Sequence, residues 1–291
     1  MVCGIGVHFS PIVKKFLTAT AITWAAAVVT PLLYVGVIAY GLQLGPRGLF
    51  PAWMTMGSAQ AAVVPWHTER AGAMAAGRLE TIEYGRRLFN ETPVYAPGYV
   101  KSRVSCSNCH LQGGTAPYAS PVVGIVPSFP MFSKRAGRKI TVEDRVQECM
   151  TRSENGDALP HDSKEMQALL AYIDWLSEPH RGQAAFVGRG LKTLPELKPD
   201  PVRGAAIYAG QCAGCHGVDG EGTRRPFPPL WGPHSFNDGA GMNGVDKMAA
   251  FVQVNMPHNR KGILTAQDAY DVAAFVHGQP RPAFNHAYDK F

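Results

Sequence analysis

Two stretches of this chain share one arrangement of chemistry-bearing side chains: Cys106-Ser-Asn-Cys109-His110 and Cys212-Ala-Gly-Cys215-His216. Two thiols at this spacing can add to the two vinyl groups of one porphyrin. The histidine that follows then lies against the iron as its proximal nitrogen ligand. A lone C-x-x-C-H could also be half of a zinc site or a thioredoxin-like redox pair. Two copies, each downstream of a helical pattern, point instead to two covalently attached haem c groups with their irons.

Each iron has a sixth position to fill. In the second half the thioether candidates are Met242, Met248 and Met256. Met248 falls inside a helical pattern and reads as core. Met256 precedes Pro257 in a loop before the last helix and is preferred over Met242; His/Met ligation raises the reduction potential. In the first half Cys149 stands outside the haem motifs. On a helix over 141–153, Arg145, Cys149 and Arg152 sit at i, i+4 and i+7 and share a face, with Ser153 flanking it. A free cysteine is commonly a small buried hydrophobe. Two arginines on its face, however, are expected to depress its pKa toward the thiolate, a strong axial donor to ferric iron. Met131 and His161 are the alternative ligands, and Cys149 is preferred.

The elements that must position these residues read as mostly α. The chain has 291 residues, 46% hydrophobic and 17% charged, enough for about two domains and incompatible with general disorder. The net charge of +6 and the absence of a long Lys/Arg run give no case for nucleic acid. Six cysteines are too few for a disulfide scaffold. A helical pattern over 68–90 leads into Cys106. The helix over 141–153 ends at Asn155-Gly156, and a third helix is expected to open at Asp162 with Glu165 completing a capping box. Its apolar stripe is Met166, Leu169, Leu170, Ile173 and Leu176. No β-rich stretch competes. Residues 182–201, rich in Gly, Pro, Lys and Arg, read as a linker. A second cycle follows, with short helices over 203–211 and 245–254 and a last one over 266–277. The expected fold is two cytochrome c-type domains in tandem, 68–181 and 202–291.

Ahead of them, Lys15 and Arg47 bracket a stretch without charge. As a helix, residues 16–43 would extend ~42 Å against a hydrocarbon core of ~30 Å, longer than the apolar part of a cleaved signal. The expectation is a single N-terminal transmembrane helix at 16–43, with 1–15 in the cytoplasm because of Lys14 and Lys15. Residues 44–67 form a connecting segment, and the haem domains lie in the periplasm of a bacterial inner membrane.

The chain strongly resembles the tetrathionate-forming thiosulfate dehydrogenases, periplasmic dihaem cytochromes c. The first half carries the resemblance in Ser105-Cys-Ser-Asn-Cys-His-Leu111, Tyr118-Ala-Ser-Pro121, Glu148-Cys-Met-Thr-Arg-Ser-Glu-Asn-Gly156 and Tyr172-Ile-Asp-Trp-Leu-Ser177. The second half carries it in Pro228-Pro-Leu-Trp-Gly-Pro233, Phe236-Asn-Asp-Gly-Ala-Gly-Met242, Asn255-Met-Pro257 and Asp271-Val-Ala-Ala-Phe-Val276. The resemblance implies His110/Cys149 ligation of a catalytic haem, with Arg135, Arg145, Arg152 and Ser153 as the substrate site. It implies oxidation of two thiosulfate ions to tetrathionate, a reaction the family also runs in reverse, and a soluble or membrane-bound cytochrome or other electron acceptor as partner. Some members carry a lysine just before the methionine of the second haem; Asn255 stands there in this chain, which implies plain His/Met ligation. The membrane segment falls outside the resemblance.

The implied chemistry needs positive charge. Two dianions at ~4 Å repel by roughly 4–16 kcal/mol between bulk water and an effective dielectric of 20. From Lys134 to Ser153 there are six Lys/Arg against three Asp/Glu, a local net of +3. Two other readings compete. One is a membrane-anchored dihaem electron-transfer subunit of a respiratory or photosynthetic complex without substrate chemistry. The other is a sulfur-carrier-oxidising cytochrome, which requires a partner cytochrome and a carrier protein.

Overall fold

A computed structural model describes residues 76–182, 186–223 and 226–291. The expected anchor at 16–43, its flanks at 1–15 and 44–67, and the start of the first helical pattern at 68–75 lie outside the described residues. Among the described residues no helix is long and apolar enough to cross a membrane. Both haem motifs belong to one compact unit, Val63–Phe291.

The first half runs α1 (Ala76–Asn90), α2 (Thr92–Tyr95), α3 (Cys106–Cys109), α4 (Leu111–Gly114), the strands β1 (Met131–Ser133) and β2 (Arg138–Ile140), α5 (Val142–Arg152) and α6 (Lys164–Ser177). Helices α1 and α6 cross at Gly85, where a Cβ would collide with the Ala168 carbonyl and lie 2.9 Å from Tyr172 Cβ. Only hydrogen in place of a side chain lets the two backbones touch. Around this crossing Ile82, Leu88 and Phe89 pack against Met166, Leu169 and Leu176. Of the expected stripe, Leu170 is only partly buried.

Helix α5 opens with a reciprocal cap: Asp144 N donates to Thr141 Oγ1 at 3.1 Å, and Thr141 N to Asp144 Oδ2 at 2.8 Å. The start of α6 departs from expectation. Its N-cap is Ser163, whose Oγ accepts from Met166 N at 3.2 Å. Glu165 turns away from the cap and accepts from Tyr84 Oη on α1 at 3.0 Å. The mostly α reading stands, with one small antiparallel hairpin in which Met131 pairs with Ile140 that the sequence did not announce. Its three-residue strands are too short for an alternating pattern to register.

The second half contains α7 (Pro201–Gln211), α8 (Ala213–His216), α9 (Val245–Asn255) and α10 (Ala266–His277). Asp200 caps α7 by accepting from Val202 N and Arg203 N, with Pro201 in the first turn. The glycine device recurs: a Cβ on Gly204 of α7 would strike the Asp271 carbonyl of α10 and lie 3.0 Å from Phe275 Cβ. Tyr208, Trp231 and Phe275 fill the space beside the crossing, with ring centroids 4.9 and 5.4 Å from Tyr208.

The segment expected as a linker makes contacts with both halves. Gly188 and Gly190 accept backbone bonds from Tyr118 N (2.6 Å) and Ser120 N (2.9 Å), and Leu191 bridges Ala119. Further on, Leu194 and Leu197 pack on the second core. A third apolar cluster spans both halves: Leu111, Ala116 and Ala119 meet Phe251, with Met242 and Met256 packed against them.

Candidate functional site

The first haem motif opens onto a mostly apolar cavity, the kind of concave, apolar-lined site that takes small molecules and cofactors. Cys106, Cys109 and His110 line one part of it, and α5 supplies Val142, Arg145, Val146, Cys149 and Ser153. The helical period explains this set, since steps of three and four residues return to one face. Phe89, Leu169 and Ile173 close the apolar wall.

The two histidines are held alike. His110 Nδ1 lies 2.5 Å from the Ser120 carbonyl, and His216 Nδ1 lies 2.9 Å from the Pro228 carbonyl. A carbonyl only accepts, so Nδ1 carries the proton in each ring and Nε2 is left to bind metal. Burial pushes both rings below their ordinary pKa, favouring the neutral form a ligand needs. Burial also raises the Cys109 thiol to about 12. Two thiols, an oriented imidazole and an apolar wall together fit a covalently attached haem, with the Cys149 sulfur in the lining of the same cavity.

Cys149 lines the cavity, whereas the alternative ligands do not. Met131 is 44% exposed on β1, and His161 is exposed and paired with Glu143. One expectation needs correction. Burial raises the Cys149 pKa more than Arg145 and Arg135 lower it, and Glu148 and Glu154 add to the rise. The arginines alone therefore do not make a thiolate. Bond formation to a metal is what deprotonates such a thiol.

The expected anion-binding residues do not all stand in one place. Arg145 is half-exposed, lines the cavity and pairs with Glu148. Ser153 lines the cavity as the residue that ends α5. Arg135 sits exposed in the hairpin turn, close enough for its charge to bear on Cys149 and Arg152. Arg152 is 5% exposed and is not in the cavity wall. Its guanidinium lies 3.8 Å above the Phe284 ring and donates to the Phe291 carbonyl at 3.2 Å, while its Nε is buried without a partner. Burial, and next the Arg135 charge, push its pKa down.

Two acids gain a place at the site that the sequence did not assign them, because burial is not written in sequence. Glu148, 2% exposed, stands among the arginines. Glu154 is buried on the cavity wall, and burial pushes its carboxyl well above the usual carboxylate range, into the neutral form. The C-terminal segment carrying Phe284 and Phe291 was also unforeseen, since its partner Arg152 lies more than a hundred positions away in sequence.

In the second half Met248 is core, as expected. Met242 and Met256 are both partly buried at the boundary cluster. Asn255 is 2% exposed, and its Nδ2 donates to Phe251 O at 3.0 Å and across the boundary to Tyr118 O at 3.2 Å.

Comparisons with known proteins agree on the architecture. The family profile described as SoxA/TsdA, cytochrome c domain matches residues 94–181, and that described as cytochrome c matches residues 201–279. The chain is 44% identical over 215 residues to a thiosulfate dehydrogenase of Allochromatium vinosum, covering 70% of this chain and 80% of that protein. It is 40% identical over 207 residues to one from Thiomonas intermedia, covering 69% and 66%. Among solved structures, the thiosulfate dehydrogenase TsdBA of Marichromatium purpuratum in its as-isolated form aligns with a TM-score of 0.68 at 34% identity. That alignment covers 76% of this chain and 52% of the TsdBA chain, so this chain spans about half of it. Two cytochrome c domains in tandem, each with its haem c, are thereby established.

Proposed function

This chain belongs to the thiosulfate dehydrogenase family, and from that premise we propose that it oxidises two thiosulfate ions to tetrathionate at the first cavity. One S–S bond forms between the two outer sulfurs and two electrons are released. The observation that carries this reading is the meeting, in one cavity, of Cys106, Cys109 and His110 with Cys149, Arg145 and Ser153. The bound haem groups supply one-electron acceptance, from the first domain to the second and on to an external cytochrome or other acceptor.

The protein's own residues do the rest. Arg145 at the cavity wall and Arg135 on the hairpin offset the repulsion between the two dianions, which is of order 4–16 kcal/mol at contact. Ser153 donates a hydrogen bond to a thiosulfate oxygen. Arg152, held behind α5, adds its charge to the same field without direct contact. His110 and Cys149 would hold the iron of the first haem, whose bound form would supply one-electron acceptance beside the anions that Arg145 and Ser153 hold. In the second domain His216 and Met256 would hold the haem iron, while the Asn255 amide is engaged with Tyr118 O and Phe251 O. Residues 16–43 anchor the chain in the inner membrane with both domains in the periplasm.

Thiosulfate turnover with an artificial acceptor, together with low-temperature EPR of the oxidised protein, tests the reading. Wild type turns over, and Cys149→Ala loses turnover and shows a changed ferric signal. Normal turnover with an unchanged signal in Cys149→Ala overturns the assignment. The apolar run at 16–43 favours one other reading, an anchored electron-transfer subunit, which the same assay identifies by the absence of any thiosulfate-dependent reduction in wild type.

A further inference from the structure

The stretch Phe236–Met242 belongs to the second domain, yet its polar side chains serve the first. We propose that Asn237 is a positioning residue for Cys149 and Ser153, so that the first cavity is complete only with the second domain docked against it. This rests on the reading of Cys149 as an axial ligand.

Helix α5 ends at Arg152, and its last carbonyls have no partners within the helix. Asn237, 1% exposed, answers them from the other domain. Its Nδ2 donates to Thr151 O at 2.9 Å and its backbone N donates to Arg152 O at 3.1 Å. The same Nδ2 reaches Asn155 Oδ1 at 3.1 Å. Asn155 has φ +48, the left-handed conformation through which the chain leaves α5. Asn237 thus brackets the turn that carries Ser153 and lies directly beyond Cys149. Arg152 O also accepts from Asn155 N at 3.3 Å, but among the described residues the donor to Thr151 O is the Asn237 amide alone, and a buried carbonyl deprived of its donor carries the desolvation cost without return.

The next residue extends the clamp. Asp238 Oδ1 accepts from Phe284 N at 2.7 Å, setting the ring that lies under the Arg152 guanidinium. A Cβ on Gly239 would lie 2.8 Å from Phe284 and 3.0 Å from Arg152. Three consecutive residues of the second domain therefore fix the end of the Cys149 helix, the ring beneath Arg152, and the space between them.

The test uses the full dihaem protein. Asn237→Asp keeps the oxygen that accepts from Gly239 N at 3.1 Å and removes the Nδ2 bonds to Thr151 O and Asn155 Oδ1, leaving the backbone bond to Arg152 O; Asn237→Leu removes the polar group and keeps the branching. In both variants the ferric EPR signal of the first haem is expected to lose part of its thiolate-ligated component. The signal and potential of the second haem remain those of wild type. The thiosulfate KM is expected to rise about tenfold, the scale of one lost buried hydrogen bond, with kcat changed less. Cys149→Ala, measured in parallel, supplies the fully unligated signal. If that variant leaves the signal unchanged, the ligand assignment fails and the proposal fails with it. If Cys149→Ala changes the signal while both Asn237 variants match wild type, the proposal alone is overturned. Equal disturbance of both haem signals also overturns it, because that marks a general loosening rather than positioning.

Discussion

The two haem domains are built from the same proximal half and different distal halves. In each, an N-terminal helix crosses a C-terminal one at a glycine, Gly85 on Ala168 and Gly204 on Asp271. In each, the haem-motif histidine is aimed by a carbonyl, Ser120 or Pro228. The distal sides share little. The first has a capped helix bearing Cys149 and Arg145, a hairpin bearing Arg135, and two buried acids. The second has an α9 that stops at Asn255 and a methionine in the loop that follows. Holding a haem is thus the task of the repeated part, and under the proposed function the choice between chemistry and conduction falls to the segment between the haem motif and the last helix.

Making the first distal side resemble the second gives the largest expected effect. Cys149→Met should lower thiosulfate turnover by at least about 100-fold, beyond the ~10–100-fold cost of losing an outer-shell partner at a metal site. It should also raise the potential of the first haem; spectroelectrochemistry and steady-state rates check both, and Met256 is left intact as the internal reference. Gly85→Ala and Gly204→Ala test the shared half. Each forces a Cβ into a backbone carbonyl and should cost about 2–3 kcal/mol in denaturant unfolding, followed through the Soret band of the affected domain.

Glu148→Gln sharpens the contrast in charge. Removing the buried carboxylate frees Arg145 and should lower the thiosulfate KM about fivefold, less at high salt. An unchanged KM would place the substrate away from Arg145. The smallest effects belong to two matching caps. Asp144 on α5 and Asp268 on α10 each close a box with a threonine and meet an arginine, Arg138 or Arg203. The Arg138 hydrogen bond holds Asp144 down to about 2 from its ordinary 3.8. A carboxyl lowered by folding stabilises the native state above the unfolded value, and that contribution fades as pH falls through the folded one. Asp144→Asn should therefore cost about 1 kcal/mol near neutral pH, with the difference from wild type closing between pH 3.8 and 2. Asp268, lowered chiefly by the Thr265 hydroxyl, should follow the same direction.

The parts legible in sequence were those fixed by local rules. The helix over 266–277 is found with those bounds, and the one over 141–153 becomes Val142–Arg152 flanked by the capping residues Thr141 and Ser153. Their caps and periods are written within a few residues. Asp162 reads as the cap because Glu165 stands three residues on; the structure caps α6 with Ser163 and turns Glu165 to Tyr84 on another helix. Cys149 and Arg145 share the cavity because an i, i+4 spacing places them there. Arg152, at i+7 from Arg145, was turned aside by Phe284 and Phe291, contacts of long range that no helical wheel contains. The thiolate expectation failed for a similar reason, since charge neighbours can be counted in a sequence and burial cannot.

The apolar cluster at the domain boundary bears on speed. Leu111 follows His110 directly, and Met256 packs on the cluster that Leu111 forms with Phe251. Under the proposed ligation, packed apolar side chains join the residue after His110 to Met256. An electron passing between the two domains on that reading would cross a span whose length is set by the core rather than by the outer surface.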